Sequence, residues 1–174
     1  KANTALLPVP HAPEIKLYLA DEITGIWHNT EEDLEKIGLP PPFWAFAWAG
    51  GQGLARYVLD HPDIVRGKRV LDFAAGSGLV AIAALMAGAA HVDANEIDGF
   101  AVESIRINAE ANGVMPTVRL GDLVGTDDGW DVILAGDICY DREMTARVLL
   151  WLKTLKARGA DVVLGDARRP GRRT

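Results

Sequence analysis

The chain has 174 residues, 49% of them hydrophobic and 24% charged, with a net charge of −6 and an isoelectric point near 5.2. That composition fits one globular domain; a duplex-binding protein uses a basic face to neutralise phosphates, whereas the one dense basic cluster here, Arg168, Arg169, Arg172 and Arg173, reads as a solvated tail, so nucleic acid is not an expected partner. No apolar run reaches the roughly 18 residues of a membrane span, no membrane partner is expected, and the single Cys139 rules out an internal disulfide framework.

The first patterned stretch, "EIKLYLA" at 14–20, alternates apolar and polar residues and reads as an extra strand. "TEEDLEKIG" at 30–38 reads as a helix with Thr30 as cap and Asp33 three residues on. Three prolines then stiffen the entry to "PPFWAFAWAGG", which crowds Phe43, Trp44, Phe46 and Trp48 into six residues. Two readings of these aromatics stand side by side: core anchors, or a wall over a ligand cleft. A further helix is expected over 51–60.

From Lys68 onward, short apolar runs alternate with amphipathic ones. Strands are expected over 69–74, 91–96, 117–122, 131–137 and 161–166, and helices over 79–87, 99–112 and 142–157. In the second helix Phe100, Val102, Ile105, Ile107 and Ala109 fall roughly on one stripe, and Gly113 follows as a stop. In the third, Met144, Val148, Leu149 and Leu152 recur at helical spacing, with Gly159 beyond them. Alternating strands and helices imply right-handed crossovers and a parallel sheet. The expected fold is therefore an open, doubly wound, Rossmann-like α/β domain. Residues 1–60 form its N-terminal extension with the Trp-rich segment, and 61–174 its ligand-binding core, the whole making one compact domain.

The first core strand ends in "LDFAAGSGLVA", with Gly76 and Gly78 at the turn into a helix. A side chain there would hinder close approach of a ligand, and a helix N-terminus offers free amide donors. Asp72 is expected to brace this loop from below. The second strand ends in "ANEID", with Glu96 placed 20 residues after Gly76 (96 − 76 = 20), the spacing at which an acid accepts ribose hydroxyls. The third strand ends in "LGDL" and adds Asp122, and the fourth ends in "AGDICYD" and adds Asp137, Tyr140 and Asp141. Four successive strands thus deliver polar groups to their carboxyl ends, where open α/β sheets bind ligands.

The plain alternatives are that Asp98, Asp122 and Asp141 act as caps or turn formers, and that Cys139 is a small buried hydrophobe. His11, His28, His61 and His91 are scattered without metal-ligand spacing, so no metal site is expected. "GSGLVA" also satisfies the glycine pattern of nicotinamide-binding folds. Against that reading, the pattern lies far into the chain, and Asp122 suits an exocyclic amine better than a pyrophosphate, which carboxylates repel.

"DFAAGSG", "ANEID", "GDL" and "GDICYD" resemble the successive motifs of seven-β-strand S-adenosylmethionine-dependent methyltransferases. More selectively, "PPFWAFAWAGGQGLARYVLDHP" together with Asp137-x-x-Tyr140 resembles the lysine methyltransferases that modify the β subunit of electron transfer flavoprotein, in their bacterial type. The likeness runs from about Pro13 to Asp166. It implies S-adenosyl-L-methionine as cofactor, S-adenosyl-L-homocysteine as product, and a lysine ε-amine of a protein substrate, the electron transfer flavoprotein β subunit, as acceptor. It also implies roles: Trp48 beside the cofactor; Gly76, Ser77 and Gly78 under its methionine part; Glu96 on the ribose; Asp122 and Leu123 on the adenine side; Gly136 near the methionine moiety; Asp137 and Tyr140 as the acceptor-lysine pair.

The implied location is the cytoplasm, or the mitochondrial matrix for a eukaryotic source. A ribosomal-protein or small-amine acceptor, and a non-catalytic S-adenosylmethionine-binding module, remain open alternatives. The resemblance has one gap. Such proteins continue past the fifth core strand with a glycine-rich turn and two more strands, where this chain has "GDARRPGRRT", so the last strands are expected to be missing.

Overall fold

The computed structural model describes residues 4–20, 42–139 and 142–166. Its elements in chain order are β1 (Ala5–Val9), β2 (Ala12–Leu19), α1 (Ala49–Asp60), β3 (Arg69–Phe73), α2 (Leu79–Met86), β4 (His91–Glu96), α3 (Gly99–Ala111), β5 (Thr117–Leu120), β6 (Val132–Gly136), α4 (Arg142–Ala157) and β7 (Asp161–Gly165). Short 3-10 turns at Phe43–Ala45 and Pro62–Ile64 flank α1. The helix expected over 30–38 lies outside the described residues.

Five strands form one sheet in the order β5-β4-β3-β6-β7, every neighbouring pair parallel. Side chains alternate between its faces, as a pleated strand requires. Val70, Val132 and Leu134 point into a core shared with α1, α2 and α3. Leu71, Ile133 and Ala135 point into a second core with Trp130 and, from α4, Trp151 and Leu155. Both faces are covered, which accounts for the nearly unbroken apolar runs of β3 and β6. Helix α2 is buried from Leu79 through Ala84. A helix apolar all round has to be interior.

The N-terminal strand is half of a hairpin. β2 pairs antiparallel with β1, an unexpected strand whose register shifts at Pro8/Val9. Pro8 and an irregular apolar pattern hide it from a period-two search. The hairpin is not a loose appendage, because Val9, Ala12, Ile15 and Leu17 are fully buried in the first core.

On α3 the buried stripe is Ala101, Val102, Ser104, Ile105, Asn108 and Ala109. Phe100, assigned to that stripe from sequence, is 55% exposed instead. It stands in the first turn of α3, one position before the buried row begins.

Helix α1 reaches the carboxyl ends of β6 and β7 through glycine. A Cβ on Gly136 would lie 3.0 Å from the Gly51 Cα, and one on Gly165 would lie 2.9 Å from the Leu54 Cβ. Backbone therefore packs directly on backbone here.

Candidate active site

The registers align the strand ends that matter. Phe73 of β3 sits opposite Asn95 and Ala135, and Glu96 opposite Leu120. With strands about 4.8 Å apart, the ends of β4 and β6 flank β3 with roughly 10 Å between them. The glycine loop rises in that gap.

Gly76 and Gly78 adopt φ of +54° and +81°, conformations that L side chains rarely reach. A Cβ on Gly76 would meet nothing within 4 Å, whereas one on Gly78 would press on Ile105 at 3.2 Å. Gly76 thus opens to free space, while Gly78 lets the loop sit down on α3. The Glu96 carboxylate accepts from the Gly76 amide at 2.9 Å and from the Ile97 amide at 3.0 Å. Burial pushes its pKa above the usual carboxylate value, and those amides pull the other way. The Asp98 amide adds to that pull, and the carboxylate as a whole keeps acceptor capacity for a further donor.

Asp72 is only 1% exposed. Its bracing role falls one turn beyond the loop: Oδ2 accepts from the Ala81 amide at 2.8 Å. That contact serves the first turn of α2, whose N-cap position is held by Gly78 and so carries no capping side chain. Burial pushes the Asp72 carboxyl up to about 8, the Ala81 amide opposes this, and the charge of Glu96 adds to the rise.

Asp137, directly after β6, has φ of +54°, a strained setting that Asp tolerates better than most residues. Its two oxygens accept from the Gly50 and Gly51 amides at 3.0 and 2.7 Å. The carboxylate therefore caps α1, a role that sequence reasoning did not foresee. Trp48 is the N-cap residue of that helix. Its indole Nε1 donates to the Phe43 carbonyl at 2.8 Å, and its ring meets Phe43 and Phe46 edge-on at 6.0 and 5.8 Å. Phe43 and Trp48 are 46% and 40% exposed, so these two are not core anchors; Trp44 and Phe46 are half-buried. Gly136 lies beneath this junction, against Gly51.

Asp122 is exposed. It accepts from the Val124 amide at 2.9 Å and pairs with Arg147 of α4. The Arg147 guanidinium, aided by the Val124 amide, holds its carboxyl below the usual range. Leu123 packs half-buried against the second core. Asp98 turns out as the plain alternative had it, an N-cap that accepts from the Phe100 amide at 2.8 Å. Tyr140 and Asp141 lie outside the described residues.

Cys139 is exposed rather than buried, because it falls in the connection after β6. Desolvation first, and Asp166 and Asp137 with it, raise its thiol pKa, which disfavours a nucleophilic thiolate. Among the described residues no group of three or more His, Cys, Asp or Glu could hold a metal ion, and no helix is long and apolar enough to cross a membrane.

Two buried asparagines at this edge were missed by sequence reasoning. Asn95 Nδ2 donates to the Arg119 and Gly121 carbonyls at 3.0 and 2.8 Å, which holds the turn leading to Asp122. Asn108 donates to the Ser77 carbonyl inside the glycine loop. Both stand among charged neighbours, Asn95 between Asp93 and Glu96 and Asn108 between Arg106 and Glu110, so no local signal marked them.

Comparison with known proteins gives a consistent picture. The family model of ribosomal protein L11 methyltransferase (PrmA) matches residues 56–140. A Xenopus laevis protein named electron transfer flavoprotein beta subunit lysine methyltransferase is 42% identical over 94% of this chain and 65% of its own length. A Caenorhabditis elegans homologue of that methyltransferase is 32% identical over 96% of this chain and 74% of its own length. Among solved structures, the ribosomal protein L11 methylase of Lactobacillus delbrueckii subsp. bulgaricus superposes with a TM-score of 0.56 at 25% identity, covering 67% of this chain and 60% of that one. The chain spans 60–65% of the length of the relatives named electron transfer flavoprotein beta subunit lysine methyltransferase.

Proposed function

This chain belongs to the family of electron transfer flavoprotein β-subunit lysine methyltransferases, and from that premise we propose that it transfers a methyl group from S-adenosylmethionine to a lysine ε-amine of a protein. The observation that carries the reading is the Gly76–Glu96 pair at the carboxyl edge of the parallel sheet, with Asp137 across the gap left by β3.

The residues fit an adenosyl ligand on their own chemistry. Gly76 leaves the loop backbone open to approach. Glu96 is held by backbone amides yet keeps capacity to accept from a ribose hydroxyl. Asp122 can accept from an exocyclic amine, and the exposed indole of Trp48 offers an apolar wall beside the cap of α1. When bound, the cofactor supplies an electrophilic methyl on a sulfonium sulfur, and the amine lone pair displaces a neutral thioether.

The protein contributes alignment and exclusion of water, worth up to about 7–11 kcal/mol in favourable cases. Free lysine has a pKa of about 10.4 and must lose a proton to attack. A neighbouring carboxylate favours the charged amine, so the proton has to pass to water before the amine settles against Asp137. Asp137 then acts as a fixed acceptor that orients the amine through an N–H hydrogen bond. Its hold on the Gly50 and Gly51 amides keeps it still, and keeps Trp48 beside it. Tyr140 supplies a π face or hydroxyl for the developing cation.

We take the β subunit of electron transfer flavoprotein as the acceptor, in the cytoplasm or the mitochondrial matrix. A ribosomal-protein acceptor is the second reading, favoured by the L11 methyltransferase family match over residues 56–140. Incubation with isotopically labelled S-adenosylmethionine and each purified candidate, followed by peptide mass spectrometry, decides between them. Label on a lysine of the flavoprotein subunit is the expected result, lost with Asp137→Ala even at saturating S-adenosylmethionine. Label confined to L11, or full transfer by Asp137→Ala, would overturn the corresponding part.

A further inference from the structure

The side chain of Asn108 is fully buried in the last turn of α3, and its hydrogen bonds reach two other parts of the chain as well as Ser104 of its own helix. Nδ2 donates to the Ser77 carbonyl at 2.8 Å and to the Ser104 hydroxyl at 3.3 Å, while Oδ1 accepts from the Tyr18 amide of β2 at 2.7 Å. One turn on, Asn112 repeats half of this pattern. Its Oδ1 accepts from the Lys16 amide at 3.0 Å and its Nδ2 donates to the Lys16 carbonyl at 2.6 Å. The i, i+4 spacing on α3 matches the i, i+2 spacing of outward amides along β2. Two asparagines thus bond the edge of β2 on which no strand pairs among the described residues, but only Asn108 reaches onward to the glycine loop.

Its contact there falls on a sensitive bond. The Ser77–Gly78 peptide has its carbonyl held by Asn108 and its N–H held by the Ala75 carbonyl at 2.8 Å. Gly78, with φ of +81° and no Cβ, would not by itself oppose rotation of that peptide plane. A rotated plane would turn carbonyl oxygen to where an amide belongs, and the buried Ser77 carbonyl would lose its partner. The hairpin behind Asn108 is anchored elsewhere too. The Ala20 amide donates to the Ala45 carbonyl at 2.9 Å, and Gln52 joins the His11 amide to the Ala47 carbonyl at 3.2 and 2.6 Å.

We propose that Asn108 is a positioning residue for the cofactor. It locks the Ser77–Gly78 peptide in one orientation and, through Tyr18, makes the N-terminal hairpin part of the glycine loop's support. This rests on the methyltransferase reading above, in that the loop it orders is the one assigned to the cofactor.

The test compares Asn108→Ala with Asn112→Ala, since both loosen the hairpin and only the first frees the loop. Two quantities are read: the Kd for S-adenosylhomocysteine by calorimetry, and amide hydrogen exchange across residues 76–79 in the ligand-free protein. Asn108→Ala is expected to weaken binding by about tenfold, the size of one lost buried hydrogen bond, and to speed exchange in the loop. KM for the methyl donor should rise with it while kcat at saturation stays within about twofold. Asn112→Ala is expected to leave Kd within about twofold and loop exchange unchanged, although its melting temperature also falls. Asn108→Ser, which retains a small polar group, serves if the alanine variant does not fold.

Equal effects of the two positions on loop exchange, or no effect of Asn108, would overturn the proposal. Absence of S-adenosylhomocysteine binding by the unsubstituted protein would instead overturn the functional reading, and loop exchange would still decide the role of Asn108.

Discussion

Alanine in place of glycine ordinarily steadies a helix by about 0.5–1 kcal/mol, and Gly50 is expected to reverse that sign. Its Cβ would stand 2.6 Å from Asp137 Oδ1 and 2.8 Å from its Cγ, and closer still to the Gly165 carbonyl oxygen. The last is backbone of β7 and has little freedom to give way. Overpacking of this kind costs about 1–3 kcal/mol. Prising the Asp137 carboxylate off two amides removes hydrogen bonds to a charged group, worth about 1.5–3 kcal/mol. The net loss for Gly50→Ala is then about 2–5 kcal/mol, and at about 2–4 °C per kcal/mol for a chain of this size the melting temperature falls by at least about 4 °C. A methyl added at Gly53, in the same helix, would meet nothing within 4 Å, so Gly53→Ala should raise the melting temperature by about 1–4 °C. Thermal melts of the two variants against the parent read the contrast. If Gly50→Ala proves as benign as Gly53→Ala, α1 does not seat on β6 and β7 as described, and the fixed Asp137 goes with it.

Two further outcomes follow from the buried acids. With its pKa raised from 3.8 to about 8, Asp72 holds a proton when folded that it would release when unfolded. Its contribution to stability is complete below about pH 4 and declines as pH rises toward 8. Asp72→Asn should flatten that part of the stability–pH curve in denaturant titrations; an unchanged slope would contradict the neutral carboxyl. Glu96, also raised by burial, accepts hydroxyl donors best when ionised, so cofactor affinity should fall as acid carries the pH down through its elevated pKa. Glu96→Gln should weaken S-adenosylhomocysteine by about 10–100-fold, the value of hydrogen bonds to a charged acceptor, and remove that acid limb in calorimetric titrations.

The parallel sheet was legible because β3, β6 and β7 are short apolar runs separated by helical periods, and the carboxyl ends of β3, β4, β5 and β6 deliver Gly76, Glu96, Asp122 and Asp137 in sequence order. Strand β1 was not, since Pro8 breaks its pattern and its evidence is tertiary: Val9 is buried by packing on the core. Asp137 was singled out as a site residue, but its cap on α1 joins positions 86 and 87 residues apart, beyond any local rule. Asn108 was hidden for the same reason, its partners being Tyr18 and Ser77. Phe100 shows the converse error, an apolar residue at nearly the right spacing that the helix turns outward.

A crystal structure of the chain with S-adenosylhomocysteine tests the central claim most directly. The ribose hydroxyls are expected on the Glu96 carboxylate, the homocysteine part over Gly76–Gly78, and the indole of Trp48 and the Asp137 carboxylate facing the sulfur. Ligand bound away from the carboxyl edge of β3 and β4, or at that edge with neither Glu96 nor the glycine loop in contact, would contradict it.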